Sequence, residues 1–226
     1  MCGRINVSDH PGVQALLQFL DVPLYGKPFQ VRYNIAPGAD LLSVFARQQN
    51  NDASYMHWGI VPSWAKPNTF SRPLINARSE TIWQKPSFRE LIKSQRVIIP
   101  VNGFYEWKNE KGHKSPYHIQ AVDQPALALG GIYQVSKEGE LQCCIVTTAA
   151  NETMSQIHQR MPVILSSDNM QDWLHSTDQT QISCLMQPAP SNWITVQKVS
   201  DYVNDARHEG EKCILPANEE DLFTEN

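Results

Sequence analysis

Short apolar runs, each closed off by glycine, proline or asparagine, do most to narrow the folds open to this chain. LLSVFAR (41–47), RVIIPVNGFYEW (96–107), PYHIQAV (116–122), PALALGGIYQV (125–135) and QCCIVTTAA (142–150) are rich in β-branched and aromatic residues. Such runs read as strands, and their spacing favours antiparallel pairing. Helical periodicity is confined to fewer places. PGVQALLQFLDV (11–22) keeps its apolar positions on one face. NETMSQIHQ (151–159) starts at the N-cap residue Asn151 and is closed off by Met161-Pro162. A further helix runs from Ser167 or Asp168 through Trp173, and TIWQKPSFRELIKS (81–94) reads as a helical stretch interrupted at Pro86. The expected class is α+β, a mainly antiparallel core with helices packed around it.

At 226 residues the chain suits one domain, and 41% hydrophobic with 19% charged residues is globular composition. Fifteen prolines and six tryptophans point to a loop-rich fold. No apolar run approaches the roughly 20 residues of a membrane span, and MCGRINVSDH lacks the apolar region of a secretory signal. A cytoplasmic protein with no membrane partner is expected. Five cysteines at irregular spacing argue against a disulfide framework and for a reducing compartment. Cys143 and Cys144 are adjacent, which is not zinc-ligand spacing, and LQCCIVTT reads as a buried strand. No metal or cofactor is expected. The net charge of −4 makes no general electrostatic case for nucleic acid, so phosphate contacts would have to come from a few local arginines.

Five stretches carry residues suited to chemistry. In MCGR, loss of Met1 would give Cys2 a free α-amine beside its thiol. The amine has a reference pKa of about 7.7–8.0. An amine condenses with an aldehyde to an imine, and a thiol two atoms away closes a five-membered thiazolidine. On the tetrapeptide alone, an incidental cysteine is the preferred reading. In LINARSE (74–80), Asn76 can donate and accept hydrogen bonds, and Arg78 shares its face if the stretch is extended. In NGFYEWK (102–108), Glu106 is either a proton-transfer carboxylate in an aromatic setting or a surface glutamate on an edge strand. In TAANETMSQIHQRMP (148–162), His158 falls in the last turn of the expected helix, as a partner for the helix dipole or as a proton donor. Arg160 follows it and Thr147 precedes the helix. In GIVPSWAKPN (59–68), Trp64 suits stacking on a nucleobase, or packs its loop over the core.

Taken in order, MCGR, RYNIAPG (32–38), WGIVPSW (58–64), LINARSE, NGFYEWK and IHQRMPVIL (157–165) closely resemble the SOS response-associated peptidase family, the abasic-site shielding proteins. The tail QKVSDYVNDARHEGEKCILP (197–216) is similar to the family's closing segment, so the likeness covers nearly the whole chain. The resemblance implies a single domain with a barrel-like antiparallel core and a positively charged groove. It implies recognition of abasic sites in single-stranded DNA and a cross-link through an N-terminal cysteine. Carried over, Cys2 is the nucleophile, with Asn76, Glu106 and His158 as its polar partners. Arg4, Arg78 and Arg160 hold phosphates, Thr147 lines the pocket and Trp64 stacks. The family is also linked to release of the residues before the cysteine and to weak lyase chemistry. A monomer working near replication-fork proteins is the corresponding expectation. One departure is Ala65, where the family often has a second aromatic; Phe70 is the nearest substitute. Two alternatives stay open: an N-terminal-nucleophile amidohydrolase with an oxyanion contact at Asn102-Gly103, and a non-catalytic single-strand-binding module.

Overall fold

Alternation along a few central strands sorts the side chains of this protein into three buried layers. In chain order the elements of the first half are β1 (Ile5–Val7), α1 (His10–Phe19), β2 (Arg32–Ile35), β3 (Asp40–Arg47), β4 (Asn50–Trp58), β5 (Asn76–Arg78), α2 (Leu91–Ser94), β6 (Arg96–Val101) and β7 (Gly103–Glu110). They continue with β8 (His113–Ala121), β9 (Leu127–Val135), β10 (Leu141–Ala149), α3 (Glu152–Ser155), β11 (Arg160–Pro162), β12 (Ile164–Leu165), α4 (Ser167–His175), α5 (Gln179–Leu185) and β13 (Ile194–Lys198). The computed structural model describes residues 2–8, 10–22, 30–62, 64–65, 72–110, 112–124 and 126–217. Phe70 and Met1 lie outside them. No helix among these residues is long and apolar enough to cross a membrane.

One sheet has five strands in the order β13-β8-β7-β1-β2, and the other has eight. The second sheet pairs round a ring: β10 with β4, β4 with β3, β3 with β6, β6 with β9, and β9 with β10 again. The β10–β4 contact is parallel and only two residue pairs long, so the sheet is ring-like rather than a fully closed barrel. The α+β class expected from the runs is the one observed. Strand β10 is buried on both sides: Cys144 and Val146 join a core shared with α1, α4 and α5, while Cys143 and Ile145 join the core between the two sheets. Each such buried aliphatic side chain contributes about 1.5–3 kcal/mol. A smaller third cluster of Tyr105, Val199, Val203 and Cys213 covers the outer face of the five-stranded sheet.

Several expectations change in detail. RVIIPVNGFYEW is two strands, because Asn102 turns the chain from β6 in one sheet into β7 at the centre of the other. Gly103 permits the close approach of β8: a Cβ there would lie 2.3 Å from His118 Nε2 and 2.5 Å from Ile119 O. Helix α1 stops at Phe19, and Asp21 adopts a left-handed φ of 53° just beyond. The stretch 81–94 is a series of turns with one four-residue helix, since Pro86 has no N–H to propagate a longer one. Helix α3 is also four residues long, with Asn151 Oδ1 accepting from Met154 N at 2.8 Å. His158 therefore lies beyond the helix, and the dipole argument for it lapses.

A buried cation ties the helical layer to the ring. Arg96 is 2% exposed and donates to Ile92 O (2.8 Å), Lys93 O (2.6 Å), Trp173 O (2.5 Å), Leu174 O (3.3 Å) and Ser176 O (2.5 Å). These are carbonyls at the C-terminal ends of α2 and α4, where a cation is favoured. Burial lowers its pKa to about 10, so it stays charged at neutral pH. Replacing Arg96 with Met strands five carbonyls, and the urea-unfolding free energy is expected to fall by about 3 kcal/mol or more. A loss below about 1 kcal/mol would contradict this role.

Candidate functional site

Strand β5 is extended, as the sharing of a face by Asn76 and Arg78 requires. It pairs in parallel with β10, placing Asn76 opposite Ile145 and Arg78 opposite Thr147. On the other side of β10, β11 sets Pro162 opposite Thr147 and Arg160 opposite Ala149. Side chains alternate, so Asn76, Arg78, Thr147 and Arg160 share one face across three strands. Arg160 Nη2 donates to Thr147 O at 2.7 Å and to Thr147 Oγ1 at 3.3 Å, and Nη1 pairs with the Glu80 carboxylate. That bond holds the Glu80 carboxyl below its ordinary pKa. Arg78 is exposed. His158 Nδ1 lies 2.9 Å from Arg160 N and 3.2 Å from Arg160 O, and the shorter contact to the N–H suits Nδ1 as acceptor with the proton on Nε2.

Cys2 is tied to this face from the inner side. Its carbonyl accepts from Asn76 Nδ2 at 2.9 Å, and its side chain is fully buried in the core between the sheets. Asn76 Oδ1 is buried and, among the described residues, has no hydrogen-bond partner. It is an acceptor held ready beside the main chain of Cys2. Glu106 is 3% exposed on the central strand β7, on the side of Phe104 rather than of Tyr105. It is therefore no edge-strand surface glutamate. Burial pushes the Cys2 thiol pKa far up, and the negative charge of Glu106 adds to the effect.

Two of the expected residues stand apart. The Arg4 carbonyl accepts from Tyr105 N at 2.9 Å, but its guanidinium turns to the outer face and donates through Nη1 to Asn34 Oδ1 (2.5 Å) and Val203 O (2.8 Å). Trp64 is 60% exposed in the excursion between Ile60 and Leu74, which are bridged to each other. The foot of that excursion is held by two glutamines that sequence reading missed. Val61 N donates to Gln142 Oε1 (3.1 Å), and Gln134 Nε2 donates to Val61 O (2.6 Å) and Gln142 Oε1 (2.9 Å). A polar residue inside the apolar runs GIYQV and LQCCIV was the available signal. Glu80 and Asn34 were also passed over, although both lie inside quoted motifs. Among the described residues no group of three or more His, Cys, Asp or Glu could hold a metal.

Residues 1–206 match the family model described as SOS response associated peptidase, or SRAP. The chain belongs to the SRAP family. It is 35% identical over 223 residues to the abasic site processing protein YoqW of Bacillus subtilis, covering 95% of this chain and 99% of that one. It is 30% identical to the abasic site processing protein YedK of Escherichia coli, over 96% of this chain and all of the other. The chicken abasic site processing protein HMCES is 32% identical over 83% of this chain, which spans 67% of that longer protein. Among solved structures, a protein from Bacteroides thetaiotaomicron superposes with a TM-score of 0.80 at 24% identity over 96% of this chain, a likeness of fold.

In this SRAP protein the Asn76–Cys2 bond is testable by an isosteric exchange. Asn76→Asp replaces the donor facing Cys2 O with an acceptor. It is expected to cost about 1–3 kcal/mol in urea unfolding above pH 6, and more than Asn76→Ala. An Asp variant no less stable than the Ala variant would show that this bond contributes nothing.

Proposed function

We propose that this SRAP protein processes abasic sites in single-stranded DNA by linking covalently to them through Cys2. The observation that carries the proposal is the setting of Cys2: Asn76 on its carbonyl, and the buried Glu106 on the same inner side of the sheet, where its charge helps to raise the thiol pKa. The names of the relatives, abasic site processing proteins, supply the substrate class.

Removal of whatever precedes Cys2 makes its nitrogen a primary amine. A ring-opened abasic deoxyribose presents an aldehyde at C1, and the amine attacks that carbon. Glu106 takes the proton released by the nitrogen and returns it to the carbinolamine hydroxyl, which leaves as water, giving an imine. The thiol then adds across the C=N bond, sulfur to carbon and its proton to nitrogen, and a five-membered thiazolidine closes. Because the thiol pKa is raised by burial, it enters as S–H and brings the proton that the nitrogen needs. Loss of the imine removes the electron sink for β-elimination, so the strand stays intact. His158 Nε2 serves as donor to the sugar ring oxygen, favouring the open form. Asn76 Oδ1 accepts from the Cys2 nitrogen or a sugar hydroxyl. Arg78 and Arg160 hold the flanking phosphates, Thr147 lines their approach, and Trp64 stacks on a neighbouring base.

The amidohydrolase alternative asks for an oxyanion contact at Asn102-Gly103. The Asn102 N–H already donates to Asn6 O at 3.0 Å inside the sheet, which counts against that use.

The protein is mixed with a single-stranded oligonucleotide carrying one abasic site and run on a denaturing gel. A slow band is expected with abasic DNA and not with undamaged DNA, absent in Cys2→Ala and formed at least about tenfold more slowly in Glu106→Gln. Noncovalent binding should show a log–log salt slope that drops by roughly 0.7 for each of Arg78→Gln and Arg160→Gln. A band from undamaged DNA, or one that survives Cys2→Ala, would overturn the proposal.

A further inference from the structure

Arg4 lies two residues from Cys2, yet its guanidinium is engaged on the opposite face of the sheet by parts of the chain far away in sequence. Asn34, in the RYNIAPG motif, is fully buried. Its Oδ1 accepts from Arg4 Nη1, and its Nδ2 donates to the carbonyls of Asp205 (2.9 Å), His208 (2.9 Å) and, at 3.3 Å, Val203. Arg4 Nη1 also donates to Val203 O, and the guanidinium carbon stands 5.6 Å over the Trp107 ring. The closing segment is fastened from further sides. Trp107 Nε1 donates to Asn204 Oδ1 (2.7 Å) and Glu209 accepts from Tyr33 N (2.8 Å), while Tyr33 itself is held through its carbonyl by Tyr105 OH (2.7 Å). Arg4 Nε is buried and, among the described residues, has no partner, a cost that the Nη1 bonds and the Trp107 face offset.

We propose that Asn34 and the closing segment 203–208 form a clasp on Arg4 that fixes Cys2 on the other side of the same short stretch, making Arg4 and Asn34 positioning residues rather than phosphate contacts. Cys2 is then suspended between two anchors. One is Asn76 on its carbonyl; the other is Arg4, whose main chain is bonded to Tyr105 and whose side chain is clasped. A free chain terminus would lose a large entropy on placing its amine against a substrate carbon. The clasp pre-orders it. It also assigns a task to two motifs, RYNIAPG and the DYVNDARHEG tail, that the reaction itself leaves unused. The role in reactivity rests on the Cys2 reading above; the clasp itself can be tested without DNA.

In the full chain, alkylation of each cysteine by iodoacetamide is followed by mass spectrometry. In Asn34→Ala and in Arg4→Lys, Cys2 is expected to react at least about tenfold faster than in the unaltered protein, through local opening of the N-terminal strand. Cys143 and Cys144, buried in the ring, should be unchanged and so exclude general unfolding. With abasic single-stranded DNA, Asn34→Ala should slow the adduct about tenfold while leaving affinity for undamaged single strands as it was. The salt slope of Arg4→Gln should match that of the unaltered protein. Unchanged alkylation of Cys2 in both variants would overturn the clasp. An undiminished adduct rate in Asn34→Ala would overturn its role in the reaction, and a slope lower by roughly 0.7 in Arg4→Gln would make Arg4 a phosphate contact after all. Absence of any adduct in the unaltered protein would instead sink the Cys2 reading, with the alkylation result still deciding the clasp.

Discussion

The pairing of β1 with β7 is the constraint on which the rest of this structure depends. Ile5 lies opposite Phe104 and Asn6 opposite Gly103, and that register draws the N-terminal stretch between two sheets. Alternation does the remainder. Ile5 and Phe104 face the inner core, while Arg4 is carried to the outer face with Tyr105. Glu106, two residues after Phe104, returns to the inner side. A slip of β7 by one residue against its neighbours would turn Glu106 outward and take its carboxylate away from Cys2.

Burial of the thiol suits the order of bond formation proposed above better than a reactive thiolate would. A cysteine in a dry core is a poor first nucleophile, since its ionised form is disfavoured. A free α-amine has a reference pKa of about 7.7–8.0, so in the proposed reaction nitrogen leads and sulfur follows. In that proposal the same enclosure would keep water away from the imine in the interval between the two bonds. Overall charge plays little part: the chain is at −4, and the proposed phosphate contacts rest on Arg78 and Arg160 alone. Glu80, bonded to Arg160, holds that guanidinium in one orientation, as the proposed phosphate contact requires.

Much of the framework was legible in the runs. LLSVFAR, PYHIQAV and QCCIVTTAA are strands, Cys143 and Cys144 are buried in one of them, and Asn151 caps a helix. The sharing of a face by Asn76 and Arg78 followed from alternation alone, given an extended stretch. What could not be read was whatever depends on which strands become neighbours. The direction of Arg4, the hub at Asn34 and the Gln134–Gln142 pair are set by contacts between distant segments, and no local pattern encodes them. Strand β4 escaped notice because its sequence NNDASYMHW mixes polar and apolar residues, and α5 because Ile182 is its single buried side chain. The Asn151 cap and the Met161-Pro162 stop put His158 in a helix that in fact ends at Ser155; a turn follows, in which His158 N still bonds to Met154 O.

The central claim is that one terminal residue captures one carbon with two atoms. Abasic single-stranded DNA labelled with carbon-13 at C1 of the sugar, joined to the protein and digested to a short peptide–nucleotide, tests it by NMR. The account predicts a saturated C1 bonded to both the nitrogen and the sulfur of Cys2. A C1 that stays double-bonded to nitrogen, or is bonded to sulfur alone, would contradict it.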